Sequence, residues 1–263
     1  MKSIRFLSGL MCFALLLTGV YSCKKDAERS RLTVYLTDAP ATYDEVNLEI
    51  VGLQVKASAD AGDNGWQSLP LPSSPMMVNL LEFTNGLDLL LSSVELPVGK
   101  VSQLRLKLGS NNYVVVDGVT EQLPLVVPSG EESGLKFNIH ADLLPDIEYK
   151  LWIDFDASLS IVENGTGGHI LKPVIRTFSE ATGGSIKGIV MPLDADPTIT
   201  ATNGTDVMGA IPDDITGEFL IRGVAAGNWT ITVHDNSGTY ADKVINNINV
   251  TVGAVTDIGT VDL

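Results

Sequence analysis

The chain has few residues that could cross-link it or attract polyanions. Only two of its 263 residues are cysteines, and a mature chain beginning at Cys23 would keep one of them. Its folded part therefore has no disulfide, so core burial must stabilise it. The 17 Lys and Arg residues face 32 Asp and Glu residues, giving a formal net charge of −15. This balance excludes the basic stripe of a nucleic-acid-binding protein.

Residue types that mark common catalytic and metal sites are also scarce. The histidines His140, His169 and His234 do not have the spacing of zinc ligands. The sequence contains no G-x-S-x-G, Walker or dinucleotide-binding pattern. These absences favour a protein that is not an enzyme and that carries no cofactor.

The N-terminus holds the one apolar run of note. Lys2 and Arg5 precede an apolar run over residues 6–20, and Cys23 follows shortly after it. A transmembrane helix needs about 20 apolar residues, so the run is too short to span a bilayer. The layout is that of a cleaved secretory signal. We therefore predict a signal peptide over residues 1–22 and a tether over residues 23–30.

What remains is a series of short alternating runs broken by Gly, Pro, Asn and Asp, a pattern typical of an all-β chain. It predicts two tandem β-sandwiches joined by a linker over residues 179–184. The predicted N-terminal strands are residues 31–36, 44–56, 104–108, 113–116, 123–127, 149–156 and 170–178. The predicted C-terminal strands include residues 185–191, 229–233, 245–252 and 255–261. Residues 86–91 are the one segment of the mature chain for which a helical turn is predicted.

The segment around Cys23 resembles the cleavage site of Bacteroidetes-type bacterial lipoproteins. Ser22 is the small residue before the cysteine, whereas Tyr21 departs from the stricter pattern. The resemblance implies that Cys23 is lipidated and that acyl chains anchor the protein in the bacterial outer membrane. Whether the protein faces the periplasm or the cell surface stays open. Ordinary cleavage that leaves Cys23 as a free thiol is the alternative.

Two further resemblances concern the folded part. Residues 185–263 resemble the carboxypeptidase regulatory-like domain, a transthyretin-like Greek-key sandwich with a carbohydrate-binding-like fold. The residues that carry this likeness are 186–190, 216–219, 223–230, 252–253 and 257–261. Residues 31–178 resemble the family called domain of unknown function 4382, through residues 35–40, 111–118, 128–130, 134–136, 154–157 and 170–176. That likeness implies an anchored extracytoplasmic domain and no established chemistry.

Asp154 and Asp156 are the candidates for chemistry. Their spacing of two places both carboxylates on one face of a strand. Ion pairs with basic residues of neighbouring strands are the favoured interpretation, with a divalent-cation site and an acid–base pair as alternatives. The possible partners are Arg105, Lys107, Lys172 and Arg176. A second acidic group, Asp38, Asp44 and Glu45, is predicted to be solvated.

The tryptophans are the candidates for stacking against a ligand. Trp229 shares a strand face with apolar residues and is predicted to lie in the core. Trp66 follows a loop and is the candidate for a ligand contact, although packing is the commoner use of an aromatic side chain.

Together these features predict a lipid-anchored extracytoplasmic binding or adhesion protein that is not catalytic. A glycan is the leading ligand class, by analogy with the fold alone. The alternative is a structural or assembly component of an outer-membrane complex, whose partner would be another cell-envelope protein.

Overall fold

The computed structural model describes residues 28–39, 41–57, 65–116, 118–128, 133–165, 167–179 and 183–263. The predicted signal peptide, Cys23 and most of the predicted tether lie outside these residues. Strands dominate the described chain, which confirms the all-β prediction. No helix in the described ranges is long and apolar enough to cross a membrane.

The chain forms strands in two groups. The N-terminal strands are β1 (Arg29–Ala39), β2 (Tyr43–Ala57), β3 (Trp66–Leu69), β4 (Met76–Asn79), β5 (Leu89–Pro97), β6 (Gly99–Leu108), β7 (Tyr113–Val116), β8 (Leu123–Val126), β9 (Leu135–Leu143), β10 (Glu148–Asp156), β11 (Ile161–Glu163), β12 (His169–Leu171) and β13 (Ile175–Ser179). The C-terminal strands are β14 (Gly184–Met191), β15 (Thr198–Thr202), β16 (Val207–Ala210), β17 (Glu218–Val224), β18 (Gly227–His234), β19 (Lys243–Val250) and β20 (Val255–Asp262). The helical segments are α1 (Ala157–Ser160) and the 3-10 turns Leu80–Phe83 and Leu193–Ala195.

These strands build two units with separate sheets. In the N-terminal unit, residues 29–179, sheet A has the order β13-β10-β1-β5 and sheet B the order β11-β12-β8-β7-β2-β6-β9, with β3 and β4 also paired to β2. In the C-terminal unit, residues 184–262, sheet C has the order β17-β14-β20 and sheet D the order β16-β15-β18-β19. No strand pair joins the two units among the described strands.

Each unit encloses its own hydrophobic core. Alternation in β1 turns Leu32, Val34 and Leu36 inward, where they meet apolar residues of sheet B in one cluster. A second cluster in the C-terminal unit is built around Trp229 and contains no residue of the first. Trp229 is 1% exposed, as predicted for a core residue.

The helical turn predicted for residues 86–91 is wrong. Asn85 and Gly86 have φ angles of 50° and 90°, which a right-handed helix does not admit. They form a turn, and β5 then begins at Leu89 and pairs antiparallel with β1. Leu91 is buried and Leu90 is exposed, so the leucines follow the alternation of a strand.

The single strand predicted for residues 170–178 is also wrong, because the segment passes from one sheet to the other. β12 pairs with β8 in sheet B, whereas β13 pairs with β10 in sheet A. Pro173 lies between them and has no N–H to donate to a ladder. The neighbouring residues instead bond to Ser160, whose hydroxyl accepts from Val174 N at 2.8 Å.

Candidate functional site

A row of aromatic side chains crosses the outer face of sheet A. Tyr35, Trp152 and Phe178 are register partners on three adjacent strands. Their rings stack, with centroids 5.1 Å apart between Tyr35 and Trp152 and 5.5 Å apart between Trp152 and Phe178. The core residues Leu151 and Ile153 point the other way from the same strand.

The C-terminal unit covers part of this aromatic row. Trp152 is only 6% exposed, and its indole N–H donates to Asp88 Oδ2 at 3.0 Å. Arg222 of β17 pairs with the same carboxylate oxygen at 2.7 Å and donates a second hydrogen bond to the carbonyl of Gly86. Its guanidinium carbon lies 6.0 Å from the Trp152 ring centroid. Both faces of β10 are therefore buried, one by the core and one at the junction of the units.

Asp154 lies next to this row and is paired with Arg176. The two residues are register partners on β10 and β13, and their side chains form an ion pair. Asp154 is 4% exposed, whereas 41% of the Arg176 side chain is exposed. Burial raises the pKa of Asp154 above its ordinary value of 3.8, and the neighbouring Arg176 opposes that rise. The carboxylate is thus costly to ionise, and Arg176 reduces that cost.

The other predicted partners of Asp154 lie elsewhere. Arg105 and Lys107 belong to β6 in sheet B, and Lys172 lies in the segment between the sheets. The ion-pair interpretation thus holds for Arg176 and is wrong for Arg105, Lys107 and Lys172.

Asp156 has a different role from Asp154. Its side chain caps α1, where Oδ1 accepts from Leu159 N at 3.0 Å and from the Ser158 hydroxyl at 2.7 Å. Among the described residues, no group of at least three His, Cys, Asp or Glu side chains could hold a metal ion. The two carboxylates, for which a metal site and an acid–base pair were the alternative interpretations, thus bond to separate partners.

Asp38 was predicted to be solvated, and that prediction is wrong. Asp38 lies near the end of β1, is buried, and accepts a hydrogen bond from Ala157 N at 3.0 Å. A hydrogen bond to the start of α1 offsets part of the cost of burying the carboxylate. Asp38, Asp154 and Arg176 line a small cavity of about 30 Å³ at the junction. Asp44, by contrast, is exposed as predicted.

The junction also forms an open cleft of about 630 Å³. One wall comes from sheet A and carries Tyr35, Lys150, Trp152 and Phe178, with Asp88 beside them. The other wall comes from the C-terminal unit and is lined by residues 183–185, 220, 222–223 and 253–255. The cleft combines aromatic surface with charged side chains of both signs, a composition found in ligand sites.

Trp66 does not take part in the junction. It is half-buried at the start of β3, on sheet B. The Arg105 guanidinium lies 3.9 Å from its ring centroid, and Lys56 Nζ lies 5.7 Å away. Arg105 therefore covers a face of the ring that a sugar would need for stacking.

Sequence reasoning did not find the cleft, because its walls come from segments far apart in the chain. The available signal was in β10 itself. Residues 151–155 read Leu-Trp-Ile-Asp-Phe, with large apolar or aromatic side chains on both faces. Sheet A is mixed, since β10 runs parallel to β1 and antiparallel to β13. A strand with large apolar side chains on both faces predicts that something covers its outer face as well as its inner one.

Comparison with known proteins places more than half of the chain in a family. Residues 29–173 match the family described as domain of unknown function (DUF4382), so the protein belongs to that family. The match ends at Pro173, where the chain passes from sheet B to sheet A. No curated protein matches the chain significantly.

Similarity to solved structures is weak. One match is the Bacillus anthracis TIE protein, at a TM-score of 0.26 and 9% identity, over 89% of this chain and 34% of that chain. Another is GBS52, the minor pilin of Streptococcus agalactiae, at a TM-score of 0.22 and 10% identity, over 90% of this chain and 95% of that chain. The chain thus spans about a third of the length of the first protein. At these TM-scores neither match bears on function.

Proposed function

We propose that the protein is a lipid-anchored, extracytoplasmic binding protein that is not catalytic and whose ligand is a glycan. The observation that carries this proposal is the cleft of about 630 Å³ between the two units. Pockets of this size at domain junctions are common ligand sites.

The lining of the cleft supports a sugar ligand. Tyr35 and Phe178 are partly exposed at the two ends of the aromatic row, so each offers apolar ring surface. Lys150 places a charged group near the same rings, and the Asp88–Arg222 ion pair lies beside them. Sugars combine apolar C–H faces with hydroxyl groups, and this lining can contact both. The predicted carboxypeptidase regulatory-like nature of the C-terminal unit agrees with such a role by fold analogy only.

The N-terminal sequence supports the location. An apolar run over residues 6–20 ends shortly before Cys23, and an acidic chain lacks the Lys and Arg clusters that would attach it to anionic lipid. Acyl chains on Cys23 would then be the main attachment, since each buried methylene contributes about 0.8 kcal/mol. On this basis the protein is an outer-membrane lipoprotein of the bacterial cell envelope.

The anchor leads to a direct prediction. Cys23→Ser is expected to move the protein from the membrane fraction to the soluble fraction, or to block its processing, because the acyl chains cannot be attached. Fractionation and labelling with a radioactive fatty acid measure this. A Cys12→Ser variant is the matched control and should behave as wild type, because Cys12 lies within the predicted signal peptide. If Cys23→Ser still takes up fatty acid, the lipoprotein assignment is wrong.

The ligand is tested on a glycan array with variants that separate the cleft from Trp66. Lys150→Gln is expected to weaken the strongest wild-type signals, because it removes a charged group from the cleft wall. Lys100→Gln is the matched control, since Lys100 is exposed at the start of β6 and lies outside this cleft. Trp66→Ala should leave the signals unchanged.

Two other results on the array would contradict a specific part of the proposal. If Trp66→Ala alone lost binding, the ligand site would lie on sheet B, and the proposal that the ligand binds in the cleft would be wrong. No wild-type binding to any glycan would refute the proposed ligand class. In that case a pull-down from native membranes tests the alternative, which expects a cell-envelope protein in fixed ratio.

A further inference from the structure

The two units touch where β17 meets the N-terminal unit. Leu220, Arg222 and Gly223 face the turn over residues 85–88 and Phe178 of the N-terminal unit. Gly86 and Gly223 permit this approach: a Cβ at Gly86 would lie 2.5 Å from Leu220 Cδ2, and one at Gly223 would lie 2.4 Å from Phe178 Cγ. Two units of one chain move relative to each other unless their interface is large and hydrophobic, so the bonds across this junction matter for its geometry.

Arg222 makes the polar bonds at the centre of this contact. Its guanidinium pairs with Asp88 and donates to the Gly86 carbonyl, and its own carbonyl accepts from Arg176 at 3.4 Å. Asn85 adds one more bond across the junction, from its side-chain N–H to the carbonyl of Ile211 at 2.9 Å. Both charged groups of the Asp88–Arg222 pair are about three-quarters buried, which shields the pair from solvent and salt.

Asp88 links this ion pair to the aromatic row. The oxygen that pairs with Arg222 also accepts the indole N–H of Trp152, the central ring of the row. One wall of the cleft is therefore bonded to the other through Trp152, Asp88 and Arg222. Because each wall belongs to a different unit, this connection helps to set the distance between the walls, together with the Asn85–Ile211 and Arg176–Arg222 hydrogen bonds.

We propose that Arg222 is a positioning residue that docks the C-terminal unit onto the aromatic row and thereby assembles the ligand cleft. The effect on ligand binding rests on the proposed function, whereas the effect on docking does not. Ligand that contacts both walls stabilises the docked arrangement in return, because coupling between two equilibria is reciprocal.

Docking is measured without any ligand by acrylamide quenching of tryptophan fluorescence. In a Trp66→Phe background the remaining tryptophans, Trp152 and Trp229, are 6% and 1% exposed, so quenching should be weak. Adding Arg222→Gln should raise it, because Trp152 becomes accessible when the units separate. Arg31→Gln is the matched control: Arg31 pairs with Glu95 at 3.2 Å on an exposed part of sheet A and should leave quenching unchanged.

The outcomes separate the parts of the proposal. Circular dichroism of Arg222→Gln should match wild type, since neither core is altered. Equal quenching in Arg222→Gln and Arg31→Gln would overturn the docking role. On the glycan array, Arg222→Gln should weaken wild-type signals by about tenfold, within the usual range of coupling between sites. Increased quenching with unchanged glycan signals would show that Arg222 docks the units but does not assemble a ligand site. Absence of any wild-type signal would refute the proposed function alone.

Discussion

Arg176→Ala is expected to destabilise the N-terminal unit far more than Asp154→Asn, although the two substitutions break the same ion pair. Removing Arg176 leaves a carboxylate that is 4% exposed without its counterion, which typically costs about 3–5 kcal/mol. Removing the charge of Asp154 leaves the Arg176 guanidinium, which is 41% exposed and can be hydrated. We therefore expect Asp154→Asn to lower the free energy of unfolding by about 0–1 kcal/mol. Urea unfolding of both variants at neutral pH measures the difference.

The cost in Arg176→Ala should fall as the pH is lowered. Burial already raises the folded-state pKa of Asp154 above 3.8, and loss of Arg176 raises that pKa further. Because folding raises the pKa of this carboxyl, the folded protein holds the proton more tightly than the unfolded chain does. At a pH above the folded-state pKa the carboxyl is ionised, and this lowers the free energy of unfolding. The penalty therefore decreases as the pH falls from the raised pKa towards 3.8. In Asp154→Asn this pH dependence should disappear.

Two controls complete this prediction. Arg31→Ala breaks an exposed ion pair with Glu95 and should cost about 0–1 kcal/mol at any pH in this range. Wild type should show no rise in melting temperature when calcium replaces EDTA, since Asp154 and Asp156 bond to separate partners. A calcium-dependent rise in wild type that Asp154→Asn lacks would instead show mass-action binding of a metal at this pair. Equal costs for Arg176→Ala and Asp154→Asn would contradict the burial argument.

Strand alternation predicted the parts of the fold that depend on local sequence. Leu32, Val34 and Leu36 face the core of the N-terminal unit as their spacing indicates, and Trp229 lies in the core of the C-terminal unit. A buried face imposes a period of two on a strand, so the pattern is visible without any knowledge of the partner strands. The ion pair of Asp154 with Arg176 could be predicted for the same reason, because both residues lie in segments that were predicted to be strands.

The errors arose where distant segments decide the structure. The run of leucines at residues 89–91 suits a helix or a strand, and the positive φ angles of Asn85 and Gly86 together with pairing to β1 select the strand. Asp38 looks like a loop carboxylate in the sequence, yet it caps the backbone of Ala157, more than a hundred residues away. Tertiary context outweighs local preference in both cases.

The candidate cleft depends even more on such distant contacts. Its charged connection joins Asp88 in a turn of one unit to Arg222 in a strand of the other. Nothing near either residue in the sequence marks it as part of a junction, because an Asp in a turn and an Arg on a strand are ordinary surface residues. The two-sided burial of β10 is the one local sign of the contact, and it does not say which segment covers the strand.

Trp229→Ala is expected to unfold the C-terminal unit while the N-terminal unit stays folded. Trp229 is 1% exposed at the centre of the C-terminal cluster, and its indole N–H donates to Ala225 O at 2.8 Å. Truncating a buried aromatic side chain costs about 3–5 kcal/mol. A unit of this size has little stability to lose, since small domains bury a smaller share of their surface.

Thermal unfolding followed by circular dichroism should therefore show two transitions for Trp229→Ala, the first well below that of wild type. The N-terminal transition should shift little, because the two hydrophobic clusters share no residue. Trp66→Ala is the matched control: Trp66 is half-buried on sheet B, so its loss should affect the N-terminal transition alone and by a smaller amount. A single transition in Trp229→Ala, lowered for the whole chain, would show that the junction around Arg222 makes the two units unfold together.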